Sequence, residues 1–464
     1  RFIRLDFETI NSVVVLDYTI IILGGKKMEP ESIWKETVKL PHFEELRGNV
    51  KTDVLIVGGG IAGILCAHFL KERGIKYILV EKDSICSHTT GNTTAKITAQ
   101  HGLIYQKLIK TAGEERARQY LEANQLAVRK YFTLCKGVDC DFAEKNNFVY
   151  SVGNREKIEA EARALEKLGM EPLIDGAEEL PVHTAGAVGF AHQAQFHPLK
   201  FIQSVAAGLN LYEHTFVKGF LGNLAITRNG KITFQRLVIA THFPMDNKHG
   251  LYFMKLYQHR SYVLALSGVP ALQGMYVDES KTGLSFRSYE NILLLGGGGH
   301  RTGHSAGAWR ELSRFAKKAY PTAREVTRFA AQDCMTLDGI PYIGKYSKNM
   351  RESYVLTGFN KWGITSSMTG AMLLADMLAG RRNPYEGVFN PSRSMLRPQL
   401  LVNLSETAAN FLIPSKRRCP HLGCVLKWNK AEHSWDCPCH GSRFTRDGRL
   451  LDNPANGSCH IKSR

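Results

Sequence analysis

Asp53-Val54-Leu55-Ile56-Val57-Gly58-Gly59-Gly60-Ile61-Ala62-Gly63 decides the fold of most of this chain. Residues 53–57 are a short unbroken apolar run, of the kind buried on both faces of a parallel sheet. Gly58, Gly60 and Gly63 follow in G-x-G-x-x-G order. The first permits a tight turn and the second lets backbone approach a pyrophosphate. The third lets the next helix pack on the strand with its N-terminus toward the phosphates. Residues 61–73 read as that helix, closed by Gly74, and residues 77–80 as a second strand ending in Glu81. Glu81 lies eighteen residues past Gly63, close to the ~20 expected of an acid that binds a ribose hydroxyl. The spacing predicts a strand–turn–helix–strand unit for a dinucleotide, without distinguishing NAD from FAD.

Far downstream stand two short boxes, Cys419-Pro420-His421-Leu422-Gly423-Cys424 and Cys437-Pro438-Cys439-His440-Gly441-Ser442. Two cysteines and two histidines set apart this way suit a [2Fe–2S] cluster of mixed ligation. Thiolates hold one iron and imidazoles the other, which raises the potential to roughly −150 to +300 mV. Structural zinc is the competing reading, although zinc fingers use other spacings.

The 464 residues suffice for about three domains. Hydrophobic residues at 44% and charged residues at 22% are those of a globular protein with a large core. No run reaches the ~18 apolar residues of a membrane helix; residues 13–23 fall short and contain Asp17. Leu23-Gly24-Gly25-Lys26-Lys27-Met28 is what a purine-rich bacterial ribosome-binding stretch encodes when read as protein. Residues 1–27 are therefore expected to be untranslated leader or disordered, with Met28 the start. A signal peptide is the alternative, with Arg1 and Arg4 before an apolar core. Six cysteines outside the boxes are scattered, which suggests a reducing, cytoplasmic compartment.

The net charge is +17, and residues 381–464 carry 14 Lys/Arg against 6 Asp/Glu. No helix-turn-helix or stacking motif accompanies it, which argues against nucleic acid. A solvated basic face is the plain reading. A docking patch beside the first box, at Lys416-Arg417-Arg418, is the sharper one, for an acidic redox protein or a quinone-linked acceptor at a membrane periphery.

Residues 28–50 read as a polar arm. Helical periodicity runs through 111–135, 156–168 and 365–378, and Arg228-Asn229-Gly230 marks a hairpin. Residues 383–415 hold Pro384, Pro391, Pro398 and Pro414 and read as a linker to a small module at 416–464.

Four further segments carry a resemblance. They are Thr89-Thr90-Gly91-Asn92-Thr93, Leu237-Val238-Ile239-Ala240-Thr241, Asp338-Gly339-Ile340-Pro341-Tyr342-Ile343-Gly344 and Gly358-Phe359-Asn360-Lys361-Trp362-Gly363-Ile364-Thr365. In this order, after the glycine unit, they resemble the FAD-dependent oxidoreductases that include D-amino acid oxidase, glycine oxidase and sarcosine oxidase. The resemblance implies an α/β chain. A Rossmann-like FAD-binding domain would take 51–105, 186–245 and 331–382, and a mixed α+β substrate domain 106–185 and 246–330. By that resemblance Gly58, Gly60 and Gly63 face the pyrophosphate, and Glu81 binds the adenosine ribose. Thr90, Gly91 and Asn92 line the flavin side, and Val217 meets adenine through its backbone, with Ala240 and Thr241 at the neighbouring strand end. Gly358, Gly363, Ile364 and Thr365 close over the flavin ring.

Amino-acid-oxidising relatives often place an Arg-Pro shortly before the D-G-x-P segment, where the Arg clamps a carboxylate. This chain has Ala331-Gln332-Asp333-Cys334 instead. Arg287 is the candidate replacement, a surface salt bridge being the alternative role. His101 and Lys361 are further candidates near the flavin.

The two boxes resemble Rieske proteins of the disulfide-containing kind, with fifteen residues between His421 and Cys437. The resemblance implies a small all-β domain in which Cys419, His421, Cys437 and His440 hold the irons. It also implies a Cys424–Cys439 disulfide and a Ser442 hydrogen bond to a bridging sulfide. High-potential members carry Tyr where this chain has Phe444, which implies a lower potential. Together the resemblances imply a flavin dehydrogenase of an amine or amino-acid-like substrate that passes electrons to the cluster and on to an external acceptor. Two alternatives stand beside it: a cluster-fed flavin reductase or oxygenase, and a redox-sensing protein without turnover.

Overall fold

The structure is a computed structural model, which describes residues 30–247, 249–280 and 283–459. The expected leader, residues 1–27, lies outside the described residues.

The apolar run after Thr52 becomes the inner half of the Gly48–Val57 strand, every residue from Val54 to Val57 buried. It pairs in parallel with Tyr77–Val80 on one side and Gly230–Ile239 on the other. Met350–Thr357 adds a further parallel strand and Tyr342–Ser347 an antiparallel edge. Parallel strands must be covered on both faces. The Ile61–Glu72 and Gly363–Leu378 helices do this on one side, with Leu65, Phe69, Met368 and Leu374 in the same apolar cluster.

A second, larger sheet runs in the order Arg324–Thr336, Leu256–Ser267, Ile292–Arg301, Ser285–Tyr289, Met275–Asp278, Ala143–Ser151, Gly186–Gln195 and Lys96–Ile97. Three segments expected with the first sheet belong here, the Lys96–Ile97 strand among them, which pairs antiparallel with Gly186–Gln195. Gly186–Gln195 pairs antiparallel with Ala143–Ser151, and Arg324–Thr336 carries residues 331–336 along Leu256–Ser267. A buried strand reads alike in either sheet, so the pairing partner could not be assigned from the pattern.

The helix expected over 111–135 is two helices, Tyr105–Ala112 and Glu114–Cys135. They break at Gly113, whose φ of +88° few other residues adopt. The polar arm is embedded. Trp34 is wholly buried and its indole N–H donates to the Thr93 carbonyl at 2.7 Å, while Ser32 Oγ donates to the Gly91 carbonyl.

Residues 383–415, read as a linker, contain the Glu386–Phe389 turn of helix and a 15-residue helix, Pro398–Leu412. Pro398 sits in its first turn, where a missing N–H costs nothing. Beyond it, a four-stranded antiparallel sheet of Lys427–Asn429, Ser434–Asp436, Arg443–Phe444 and Leu450–Asp452 forms the small C-terminal body.

Candidate flavin and cluster sites

A cavity of about 480 Å³ opens where the parallel strands end, the place where open α/β sheets bind ligands. Gly58, Gly60, Glu81, Thr90, Asn92, Val217, Ala240, Thr241, Lys361, Gly363 and Ile364 border it, bringing together residues spread over most of the chain.

The glycines are there for space. A Cβ on Gly58, at φ +115°, would stand 2.5 Å from the Ala240 carbonyl oxygen, and one on Gly63 would overlap the Gly58 carbonyl. Gly63 thus lies behind the cavity and packs helix on strand. The helix N-terminus is steadied by the Ile61 N–H donating to Thr90 Oγ1 at 3.2 Å. The Glu81 carboxylate accepts from the Gly59 and Asp83 N–H groups at 2.7 and 3.0 Å, so it is oriented at the end of its strand. A pre-aligned acid, a helix N-terminus and a glycine floor fit a dinucleotide.

Other expected residues stand one layer back. The Gly91 carbonyl accepts from Ser32. Thr365 exchanges hydrogen bonds with the Thr98 backbone. A Cβ on Gly358 would strike Thr336.

Arg287 is neither clamp nor surface residue. It is fully buried; its Nε donates to Gln195, and its two NH groups donate to the Thr94 and Phe196 carbonyls. Its cation also lies 5.2 Å from the Trp34 ring. Burial pushes its pKa down to about 9. Three of its five N–H groups are spent on these internal partners, and it stands outside the cavity lining, so it is not placed to clamp a substrate there.

His101 is likewise internal. Nδ1 meets Tyr120 OH at 2.7 Å, Nε2 meets the Thr98 carbonyl at 3.0 Å, and the ring stacks on Trp362. Burial lowers its pKa to about 3, which keeps it neutral.

Lys361 does reach the cavity. Its side chain is exposed to that space, and desolvation within it lowers its pKa, an effect that Asp333 opposes. Asp333, His242, His259 and Tyr257 border the same space and were not anticipated. His242 follows Thr241 at a strand end, and that position was the available signal. Its Nε2 is buried with no hydrogen-bond partner among the described residues.

The cluster boxes form two facing loops. Cys424 and Cys439 join them by a disulfide, Cα–Cα 6.7 Å. Cys419 and Cys437 remain as buried thiols that hydrogen-bond each other, and Ser442 also bonds Cys419. The His421 and His440 rings stand perpendicular with centroids 4.9 Å apart. The Nδ1 of His440 is buried without a partner among the described residues. The sulfurs of Cys424, Cys437 and Cys439 also lie close together, but a disulfide takes two of them out of metal chemistry. The open donor set is therefore Cys419, Cys437, His421 and His440, two thiols and two imidazoles, which fits a two-iron centre.

The histidine side of the cluster faces the flavin half directly. His421 Nε2 bonds Asn247 Oδ1 at 2.8 Å, so a metal bond at His421 must form through Nδ1. The Phe243 ring lies 6.5 Å from the His421 ring and 6.4 Å from the His440 ring. Phe243 is two residues beyond Thr241, which borders the cavity. Asn453 Nδ2 donates to the Thr241 and Phe243 carbonyls at 2.8 and 2.6 Å, and residues 450–453, 455 and 456 themselves border the cavity.

The seam is tight elsewhere too. Gln258 Nε2 donates to the His440 and Asn453 carbonyls, and Gln332 Nε2 to the Gly441 carbonyl. Arg301 donates to the Pro438 and Cys439 carbonyls, and Arg260 pairs with Glu432. A Cβ on Gly441 would meet Gln258, and one on Gly303 would meet Pro438.

The model of the FAD dependent oxidoreductase family matches residues 53–377, and that of the Rieske [2Fe-2S] domain matches residues 399–463. YhfW of Bacillus subtilis (strain 168), which is named as a Rieske 2Fe-2S iron-sulfur protein, is 34% identical over 92% of this chain and 97% of its own length. Among solved structures, glycine oxidase from Geobacillus kaustophilus covers 74% of this chain and 99% of its own at 21% identity, TM-score 0.62. L-proline dehydrogenase from P. horikoshii covers 75% and 98% at 18% identity, TM-score 0.63. These two support the fold. The chain thus belongs to the FAD-dependent oxidoreductases of the D-amino acid oxidase type and carries a C-terminal Rieske domain, and it binds FAD and a [2Fe–2S] cluster.

Proposed function

We propose that this oxidoreductase dehydrogenates a C–H bond beside an amine nitrogen, in an amine or amino-acid-like substrate, and delivers the electrons through the Rieske cluster to an external acceptor. FAD accepts a hydride and the cluster carries single electrons, and that is the chemistry the two groups supply.

The observation that carries the reading is the seam. Residues 241–243 run from the cavity wall to the ring that touches both histidine ligands. An oxidase that hands electrons to oxygen needs no such contact.

In this reading Gly58, Gly60 and the Ile61 N-terminus hold the pyrophosphate, Glu81 the ribose and Val217 the adenine. Gly363 and Ile364 cover the ring. Lys361 offers a cation for a substrate carboxylate, and Asp333, held by Ser261 Oγ at 2.9 Å, offers an anion for the amine. Gln332, beside it, is turned away to the Rieske loop. The segment that holds the arginine clamp in relatives is thus divided here between cavity and seam.

Anaerobic mixing of the holoprotein with a panel of amines and amino acids tests the reading. Flavin bleaching followed by cluster reduction is the expected result. Flavin reduction only by a pre-reduced partner supports the reverse flow, and no response to any donor supports a sensor. Hydrogen peroxide formed at the rate of substrate loss, with the cluster staying oxidised, overturns the proposal.

A further inference from the structure

The Pro398–Leu412 helix is built inside out. Its protein-facing residues are Gln399, Asn403, Glu406 and Asn410, at helical spacing. Asn403 Oδ1 accepts from Arg301 at 2.9 Å and from Gln399 at 3.2 Å. Glu406 pairs with His304 at 2.8 Å, and the Asn410 carbonyl accepts from the Val425 N–H at 3.0 Å. The opposite face carries Leu401, Val402, Leu404, Ala408, Ala409, Phe411 and Leu412, all exposed, with Leu401 at 70% and Leu412 at 77%. Leu396 before the helix and Ile413 after it extend the strip. A water-facing helix ordinarily shows the reverse pattern, and a contiguous apolar strip of this kind marks an interaction surface.

Cations bracket the strip. Arg397 precedes the helix and Lys416, Arg417 and Arg418 follow it. Arg418 spends its donors on the Phe411, Ile413 and Gly423 carbonyls, Arg417 lies over the Trp435 ring, and Lys416 is exposed. None of the four forms an ion pair with a carboxylate among the described residues; Arg397 is half-buried and feels the Asp338 carboxylate, while Lys416 is exposed.

We infer that this helix lies in the interface of an anionic lipid membrane, with its Leu/Val/Phe face among the acyl chains and its flanking cations at the headgroups. Two features favour lipid over a second copy of the chain. Cations stand at both ends, so pairing the helix with itself in either sense sets like charge against like. A helix of this length is only ~22 Å long and ~10 Å wide, so its face falls far below the ~800 Å² per partner of a stable protein interface. An interfacial helix needs only an apolar face and basic flanks. The placement goes beyond the proposed function and does not depend on it. It would set the cluster loops beside the membrane, because Phe411 lies 3.4 Å from where a Gly423 Cβ would stand.

Co-sedimentation of the holoprotein with vesicles tests this. The probes are phosphatidylcholine alone and phosphatidylcholine with about one third phosphatidylglycerol. The expected result is sedimentation with the anionic vesicles, at least fivefold less with the neutral ones, and release by high salt. The double variant Leu401→Ser/Leu412→Ser, and separately Lys416→Glu, should each lower anionic-vesicle binding at least threefold. Their flavin and cluster absorption should stay unchanged, which shows that the fold is intact. No sedimentation of the wild type overturns the inference, and so does equal binding by the variants. A dimer in analytical ultracentrifugation that the double variant dissociates would overturn it in favour of a second copy. Binding that disappears when the chain begins at Met28 would overturn it in favour of residues 1–27.

Discussion

The cluster loops draw their four donors from residues 419–440, whereas the flavin cavity draws its walls from residues 57–456. The first site is a local object, in which spacing, a disulfide and a small buried core set the geometry together. The second exists only after two sheets and the Rieske body have packed. Its glycines are selected by what approaches them from elsewhere, as the Ala240 carbonyl approaches Gly58. A local site can be lost without disturbing the distributed one, and the reverse should also hold.

His440→Ala breaks the comparison hardest. It removes an imidazole whose buried Nδ1 has no partner among the described residues and should abolish the cluster, read as loss of iron and of the Rieske absorption. FAD should remain at full occupancy. Loss of both groups together would mean that the two sites fold as one unit.

Gly63→Ala is the converse. The added Cβ overlaps the Gly58 carbonyl oxygen, which belongs to backbone and cannot swing aside. Overpacking typically costs about 1–3 kcal/mol, and here it pushes the pyrophosphate turn out of place. The expected outcome is a protein with iron near full occupancy and flavin content reduced at least tenfold.

How far each region could be read from sequence follows the same division. Cys419, His421, Cys437 and His440 could be read as one donor set because donor type and spacing are both local. That Gly58, Gly60 and Glu81 would meet at one place was legible because the turn, helix and acid belong to one continuous unit. Arg287 was misread because its buried acceptors, Gln195, Thr94 and Phe196, come from distant segments. The seam residues Asn247, Gln258, Gln332 and Asn453 carried no signal, since their partners are mostly backbone carbonyls across the interface. The 398–412 helix was taken for linker because four prolines surround it and its apolar residues face outward, against the usual sense of the pattern.

Acid should separate the two regions along their seam. Burial alone would raise the pKa of Glu432, but Arg260 from the flavin half and Arg443 from the Rieske half outweigh it and hold it at about 2. Asp452 is also held below the usual carboxylate range: burial raises it, and Arg443, His88, Arg260 and Lys82 together outweigh the burial. A depressed folded pKa gives stabilisation that is complete above the ordinary value of 4.5 and disappears as pH falls through about 2. The full effect for Glu432 is on the order of 3 kcal/mol. Tryptophan fluorescence and cluster absorbance followed from pH 5 to 2 should report detachment in that window. Arg260→Met should move the transition to higher pH, because it leaves Glu432 with one cation fewer. A transition unchanged in Arg260→Met would show that the seam does not depend on this ion pair.

The smallest expected effect lies inside the local site. Phe444 is fully buried in the same apolar cluster as Cys419 and Cys437. Its ring offers no donor, where a tyrosine hydroxyl at the same place would offer one to a cluster sulfur. A hydrogen bond to a sulfur ligand favours the reduced, more negative state. One such bond, at about 0.5–1.5 kcal/mol net, corresponds to roughly 20–60 mV for a one-electron couple. Phe444→Tyr should therefore raise the cluster midpoint by that amount in an EPR-monitored titration, while leaving the flavin midpoint where it was. A cluster shift without a flavin shift would confirm that the two centres are tuned by separate surroundings although they share a wall. A matching shift in both would mean that charge on one centre is felt at the other, so the distributed site would have to be described together with the local one.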